Sequence, residues 1–274
     1  MRWTLASNAG PFTLEGTRTH IVGRRHAAVV DPGPNLAAHV DAVAAAVQDA
    51  ESVVLLLTHG HADHSGAAAV LAERLGARVL GAWGAAGADG EGAGGGPPPG
   101  LFFRRLTDGD SVPTDAGELI ARSTPGHARE HFAFHWPAQA AAFVGDLMLG
   151  RGDTTWVGEY PGCVADYLAA LDRIDVLDTR LLLPAHGGPV HDPTERVARF
   201  RAHRLERVDQ VRGALAANPG MAAEELFVSV YGRAIPPDLA PAARLALAAL
   251  VEHVRAPEAD PVPPPARLLR IRGS

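Results

Sequence analysis

The stretch that most constrains this chain is Thr58-His59-Gly60-His61-Ala62-Asp63-His64-Ser65-Gly66, which follows directly on the apolar run Val53-Val54-Leu55-Leu56-Leu57. Five consecutive Val and Leu residues before such a loop predict a buried strand, so the histidines emerge where a strand end meets a loop. Such loops are where sites sit. If the backbone stays extended through His59 and His61, both imidazoles leave on the same face, because side-chain direction alternates with a period of two. They can then converge on one ion. Asp63 and His64 are adjacent and, in an extended chain, point apart. They add an oxygen and a nitrogen donor that one tetrahedral ion already holding two histidines cannot easily use, which suggests a second metal.

Three later stretches repeat the pattern of an apolar strand followed by a ligand-type residue in a Gly-containing loop. Ser123-Thr124-Pro125-Gly126-His127 ends a strand expected over Glu118 to Arg122. Val144-Gly145-Asp146 ends the apolar run from Ala140, and Leu181-Leu182-Leu183-Pro184-Ala185-His186-Gly187-Gly188 ends a third. Four such ends can surround one pocket at a sheet edge.

The set T-H-x-H-x-D-H, P-G-H, G-D and P-x-H-G, in this order, resembles the metallo-β-lactamase-fold hydrolase superfamily. The resemblance implies an αββα sandwich, α/β in class, with two metal ions at one edge. By position it implies that His59, His61 and His127 hold one ion, that Asp63, His64 and His186 hold the other, and that Asp146 bridges them. Asp31 of Asp31-Pro32-Gly33 would lie near the site without binding metal, and His131, four residues beyond His127, would stand behind the ligands. The other histidines, His20, His26, His39, His135, His191, His203 and His253, are assigned to surface or packing.

The 274 residues suffice for one ordinary domain plus a small appendage, and 47% hydrophobic residues for a sizeable core. A formal charge of -6 argues against a broad basic surface for nucleic acid. All 25 basic residues are arginine, which we read as genome composition. No stretch approaches the apolar length of a membrane span, and Met1 to Gly16 has no signal-peptide pattern, so a cytoplasmic protein without membrane contact is expected. The single cysteine, Cys163, excludes an internal disulfide; it is expected to be structural, with no disulfide-linked partner.

Along the chain, Thr17 to Val22 and His26 to Val30 predict a hairpin, and Asn35 to Ala50 and Ser65 to Leu75 predict helices, the second capped by Ser65. The Gly- and Pro-rich stretch from Gly81 to Gly100 predicts a loop, read as a passive insertion rather than a lid carrying Trp83. Leu101 to Leu106 and Ser111-Val112 flank Thr107-Asp108-Gly109-Asp110, a second hairpin signal. Val164 to Ile174 has helical spacing. Asp192-Pro193-Thr194-Glu195 opens a helix running to about Ala217, followed by helices over Met221 to Tyr231 and Pro241 to Arg255 and a strand over Ala266 to Arg272.

This division suggests a catalytic domain over residues 1–200 and a winged-helix-like domain over 201–274. The segment Arg199-Phe200-Arg201-Ala202-His203-Arg204-Leu205-Glu206-Arg207 and the helices after it resemble the C-terminal part of the β-lactamase-like-protein-2 branch of the superfamily. From Arg201 onward 10 arginines face 8 acidic residues, a small excess. A module that packs against the catalytic domain is therefore preferred over one that binds nucleic acid, although Arg267, Arg270 and Arg272 could touch phosphate.

Two divalent ions lower the pKa of a shared water, so the expected reaction is attack by zinc-bound hydroxide on a small acyl thioester or ester, with Asp63 orienting the water. Iron and manganese accept the same donors as zinc. His64 argues against β-lactamase activity, and His61, where flavo-diiron oxidoreductases carry a glutamate, argues against redox work. The branch resemblance keeps a single-strand endoribonuclease as the second reading, and a non-catalytic winged-helix regulatory binder is the third.

Overall fold

A computed structural model describes residues 1–81, 97, 100–232 and 235–256. Six strands form the first sheet, in spatial order β1 (Arg2–Leu5), β2 (Arg18–Val22), β3 (His26–Val30), β4 (Ser52–Leu57), β5 (Arg78–Gly81) and β6 (Phe103–Arg105). β2 pairs antiparallel with both β1 and β3, and β3 to β6 run parallel. The near-continuous apolar character of β4 now has its cause, because a strand covered on both faces has no solvent side. Val54 and Leu56 face the second sheet, whereas Leu55 and Leu57 face the helices α1 (Ala37–Ala46) and α3 (Ala68–Leu75) through Val40, Val43 and Leu71. Leu56, with no exposed surface, contributes about 2 kcal/mol by burial.

The second sheet has five strands, in order β11 (Leu181–Pro184), β10 (Ala141–Gly145), β9 (Phe132–Trp136), β8 (Gly117–Ser123) and β7 (Ser111–Thr114). Only β10 and β11 are parallel. Phe134, Phe143 and Leu183 point between the sheets; Ala142, Val144 and Leu182 point outward onto α4 (Cys163–Asp175) and the C-terminal helices. Helix, sheet, sheet and helix thus form the expected αββα order.

α5 (Pro193–Ala217) begins as the sequence predicts: Asp192 accepts a hydrogen bond from the Glu195 amide at 2.9 Å, and Pro193 takes the first helical position. Position 200 lies inside this helix. Phe200, Val208 and Val211 of α5 share one core with Phe227 of α6 (Ala223–Tyr231), Leu250 of α7 (Ala240–Arg255) and Tyr167 of α4. The strand expected over Ala266 to Arg272, and Trp83 with most of its loop, lie outside the described residues. No helix among the described residues is long and apolar enough to cross a membrane.

Three local expectations are corrected. Leu101–Leu106 and Ser111-Val112 do not form a hairpin: β6 pairs with β5 and β7 with β8, so Thr107 to Asp110 carries the chain from one sheet to the other. The Asp-rich turn serves that crossing, with Asp108 accepting from the Ser123 amide and Asp110 from the Thr107 amide. Ser65 does not cap α3; it ends the one-turn helix α2 (Ala62–Ser65) and its hydroxyl donates back to the Gly60 carbonyl at 2.9 Å. Asp63 and His64 therefore lie on a helical turn rather than an extended strand, and they face a common centre instead of pointing apart.

Candidate metal centre

Strand ends bring the seven candidate donors together. β4 delivers His59 and His61, α2 delivers Asp63 and His64, the loop after β8 delivers His127, the end of β10 delivers Asp146 and the end of β11 delivers His186. His59, His61 and His127 offer donor atoms that all lie within 4.8 Å of one another, as do Asp63, His64 and His186, and as do His59, His64 and Asp146. Asp146 spans the two trios. Its Oδ1 lies 3.4 Å from His64 Nε2 and 3.3 Å from His186 Nε2, and its Oδ2 lies 3.7 Å from His127 Nε2.

The outer hydrogen bonds decide which nitrogen of each ring faces inward. His127 Nδ1 sits 2.9 Å from the Trp156 carbonyl, an acceptor only, so Nδ1 carries the proton and Nε2 presents a lone pair. His61 is turned the other way. Its Nε2 donates to Glu159 at 3.2 Å, leaving Nδ1 inward. Thr58 donates its hydroxyl proton to Asp31 and so accepts from His59 Nδ1 at 3.1 Å, leaving His59 Nε2 inward. The three inward nitrogens then stand 3.0 and 3.1 Å apart along the pairs His59–His61 and His61–His127, lone pair against lone pair. Such an arrangement is repulsive unless a cation occupies the centre.

The second trio repeats the logic. His64 Nδ1 donates to Asp31 Oδ2 at 3.0 Å and His186 Nδ1 to the Gly16 carbonyl at 3.2 Å, so both Nε2 atoms face inward. Those two nitrogens and Asp146 Oδ1 are buried without a hydrogen-bond partner. Buried polar atoms are rarely left so, and the donor chemistry fits metal ions.

Electrostatics point the same way. Burial, reinforced by the imidazoles of His64, His61 and His127, holds His59 well below the ordinary histidine value, and burial against only partial help from Asp146 lowers His127 to about 4. These rings reject protons. In the other trio burial opposes charge, yet Asp63, Asp146 and Asp31 hold His64 well above its usual value, and Asp146 with Asp63 lifts His186 to about 10. Burial alone would raise Asp63 and Asp146; the facing histidines overcome it and keep both carboxylates low. The pocket demands positive charge.

Both supporting residues touch this cluster. Asp31, only 2% exposed and at a φ of +52°, accepts from the Thr58 amide at 2.8 Å as well as from His64. His131 contacts Thr124 through Nδ1 and the Asp146 amide through Nε2, at 3.3 Å. Gly145 precedes Asp146 for a steric reason: at φ +48° any Cβ would stand 2.6 Å from Thr58 Oγ1 and 2.7 Å from His131 Nε2.

A cavity of about 850 Å³ opens over the cluster. His61, Asp63, His127 and Asp146 form its floor, and the wall combines Phe12 and Leu14, Leu149 to Trp156, α5 and the segment 235–246. Sequence reasoning missed Glu159 and Trp156, which carry no motif signal in the loop between β10 and α4. It also placed His203 in surface or packing, whereas His203 borders the cavity. Cys163 is buried in the core that α4 shares with the C-terminal helices.

A sequence profile described as "Metallo-beta-lactamase superfamily" matches residues 18–186. The chain is 28% identical over 232 residues to a beta-lactamase-like protein 2 homolog of Caenorhabditis elegans, spanning 83% of this chain and 75% of that protein. It is 30% identical over 245 residues to an atrochrysone carboxyl ACP thioesterase of Aspergillus chevalieri, spanning 86% and 74%. In fold it is similar to a metallo-beta-lactamase family protein of Thermus thermophilus, with a TM-score of 0.74 and 24% identity over 92% of this chain and 93% of the other. Fold and site define a metal-dependent hydrolase. The profile covers more than half of its residues, and the chain belongs to the metallo-beta-lactamase superfamily.

Proposed function

We propose that the chain is a dinuclear metal hydrolase that cleaves acyl thioesters or esters. His59, His61 and His127 would hold one ion, Asp63, His64 and His186 the other, with Asp146 between them. Zinc suits this imidazole and carboxylate set best, and elemental analysis distinguishes it from iron and manganese. Bound there, two ions would supply Lewis acidity that lowers the pKa of water and polarises a carbonyl.

The chain's own groups do the positioning. Asp63 directs Oδ2 at His186 and His64, at 3.1 and 3.4 Å, and its side chain keeps 28% exposure toward the cavity. In this reading its carboxylate accepts a hydrogen bond from the attacking water and so orients it. Hydrolysis breaks the acyl C–S bond and forms a C–O bond, with water supplying the oxygen and the proton that ends on the thiol. A thiolate can leave without a proton donor.

The observation that supports an acyl substrate most directly is the apolar wall, which includes Phe12, Leu14, Leu149, Trp156 and Leu239, standing over the donor cluster. The Aspergillus relative named as an acyl-carrier-protein thioesterase agrees with it. Four arginines of the C-terminal helices are neutralised by acidic partners, Arg199 by Asp153, Arg201 by Asp172, Arg212 by Asp209 and Arg244 by Glu224, which leaves them less able to hold RNA phosphate. In this reading the C-terminal part is a winged-helix-like module of which α5, α6 and α7 wall the cavity. The reading includes a reducing, cytoplasmic setting, to which the free Cys163 lends support.

Thiol release from a panel of acyl-coenzyme A thioesters tests the proposal. Turnover that is lost on chelation and in Asp63→Ala is expected. Absence of turnover across the panel, with cleavage of labelled single-stranded RNA under the same controls, would replace it with the endoribonuclease reading.

A further inference from the structure

Arg204 is a buried cation without a counter-ion. It lies on α5, only 4% exposed, and borders the cavity above the metal centre. Its Nη2 donates to the Thr155 carbonyl at 2.9 Å, its guanidinium carbon stands 5.2 Å from the centre of the Tyr167 ring, and its Nε is buried with no hydrogen-bond partner. No carboxylate pairs with it among the described residues. Arginine is almost never buried this fully unless paired, and a guanidinium left with unmet donors is costly.

Arg151, His203 and Arg207 also line the cavity, and its lining carboxylates among the described residues are Asp63 and Asp146 on the floor. Glu15 lies close to Arg151, Asp153 and Glu206 lie close to His203, and Arg207 donates to Gln210 and to the Val230 carbonyl. Arg204 is therefore the lining arginine whose donors are least met, in a wall that is otherwise largely apolar. A guanidinium fork with free donors matches a carboxylate in shape and charge.

We propose that Arg204 is a specificity residue that binds a carboxylate at the far end of the acyl group, so that the favoured substrates are half-thioesters of dicarboxylic acids. This rests on the thioester reading above and deepens it. The apolar lining would take the methylene chain between the two ends, and Arg204 would tell a chain ending in carboxylate from one ending in methyl.

The alternative source of an anion is the phosphate of the thiol carrier, so the test uses two carriers. Octanoyl and 7-carboxyheptanoyl thioesters are made on N-acetylcysteamine, which has no phosphate, and on coenzyme A. The metal-loaded full chain is assayed with Arg204→Met and Arg204→Lys, each checked for metal content and thermal melting. On N-acetylcysteamine the native protein is expected to favour the carboxylated chain, and Arg204→Met to lower kcat/KM for it by roughly 30-fold, mainly through KM, with the octanoyl thioester within about threefold. Arg204→Lys should restore part of the preference.

Equal losses on both acyl chains would overturn the proposal and make Arg204 a strut for the Thr155 loop. A loss confined to coenzyme A thioesters would assign it to carrier phosphate, and the absence of any preference in the native protein would also overturn the proposal. Calorimetry of octanedioate against octanoate on the holoprotein separates this idea from the thioester reading. Tighter octanedioate binding that Arg204→Met abolishes would uphold the carboxylate site even if no thioester were hydrolysed.

Discussion

On the floor of the cavity each imidazole is held from behind: His127 by the Trp156 carbonyl, His61 by Glu159, His64 by Asp31 and His186 by the Gly16 carbonyl. The wall is built differently. There, apolar side chains from separate elements meet with few directional bonds, such as that from Trp156 Nε1 to the Ala242 carbonyl at 3.0 Å, and among the described residues the nearly buried Arg204 has Thr155 as its acceptor. The contrast separates two tasks. A set of donors aimed through fixed tautomers tolerates little displacement, since metal chemistry depends on which atom faces inward. An apolar wall selects by volume and can change with modest cost. Changes to the floor should therefore remove metal and rate together, and changes to the wall should redistribute preference among substrates.

The largest effect is expected from Asp146→Ala, because this carboxylate alone reaches both trios. Metal stoichiometry should fall and kcat should drop on the order of 10³-fold, read by elemental analysis beside thiol release. Full retention of both metals would break the proposed bridging role. Asp31→Ala comes next. It strands the Thr58 amide and hydroxyl and His64 Nδ1, all buried, so urea unfolding should show a loss of about 3 kcal/mol, with metal affinity weaker by about 10- to 100-fold.

His20 extends the comparison to a buried imidazole that serves packing alone. It contacts the Pro184 carbonyl at 3.3 Å and the Phe143 ring, and burial lowers it to about 4. Above pH 6.5 both folded and unfolded chains keep it neutral; between 6.5 and about 4 only the unfolded chain gains the proton. Stability should thus fall as pH drops through that window, by up to about 3 kcal/mol from this residue, and His20→Gln should flatten that part of the pH profile. An unchanged profile would refute the assignment. The smallest effect belongs to the wall: Leu239→Ala should raise KM for a medium-chain thioester by about 10-fold while kcat and metal content stay within twofold. A loss of metal there would erase the distinction between floor and wall.

What could be read from the chain itself follows the same division. The donors His59, His61, His127, Asp146 and His186 each stand where an apolar run ends, and burial patterns encode strand ends locally. The inner strand β4 was legible for the same reason, since Val53 to Leu57 is buried on both faces. The turn Thr107 to Asp110 was misread because Asp and Gly favour reversal without specifying which sheet each arm joins. Ser65 was misread because a hydroxyl near a helix start can bond forward or back, and here the Gly60 carbonyl wins. Glu159 gave no signal, and Arg204 stood out only as part of the segment that resembles the C-terminal part of the β-lactamase-like-protein-2 branch, with nothing to mark it as a cavity residue.

By itself, the sequence determined the candidate donor set, the covered strands and the helix that Asp192 begins, since each depends on residue type and period over a few neighbouring positions. Tertiary packing alone decided which nitrogen of each imidazole turns inward, and it joined α5 to the β10–α4 loop so that Arg204, 49 positions from Thr155, lines the same cavity as the candidate donors. Those outcomes rest on groups brought together across layers, where distance along the chain carries no information about distance in space.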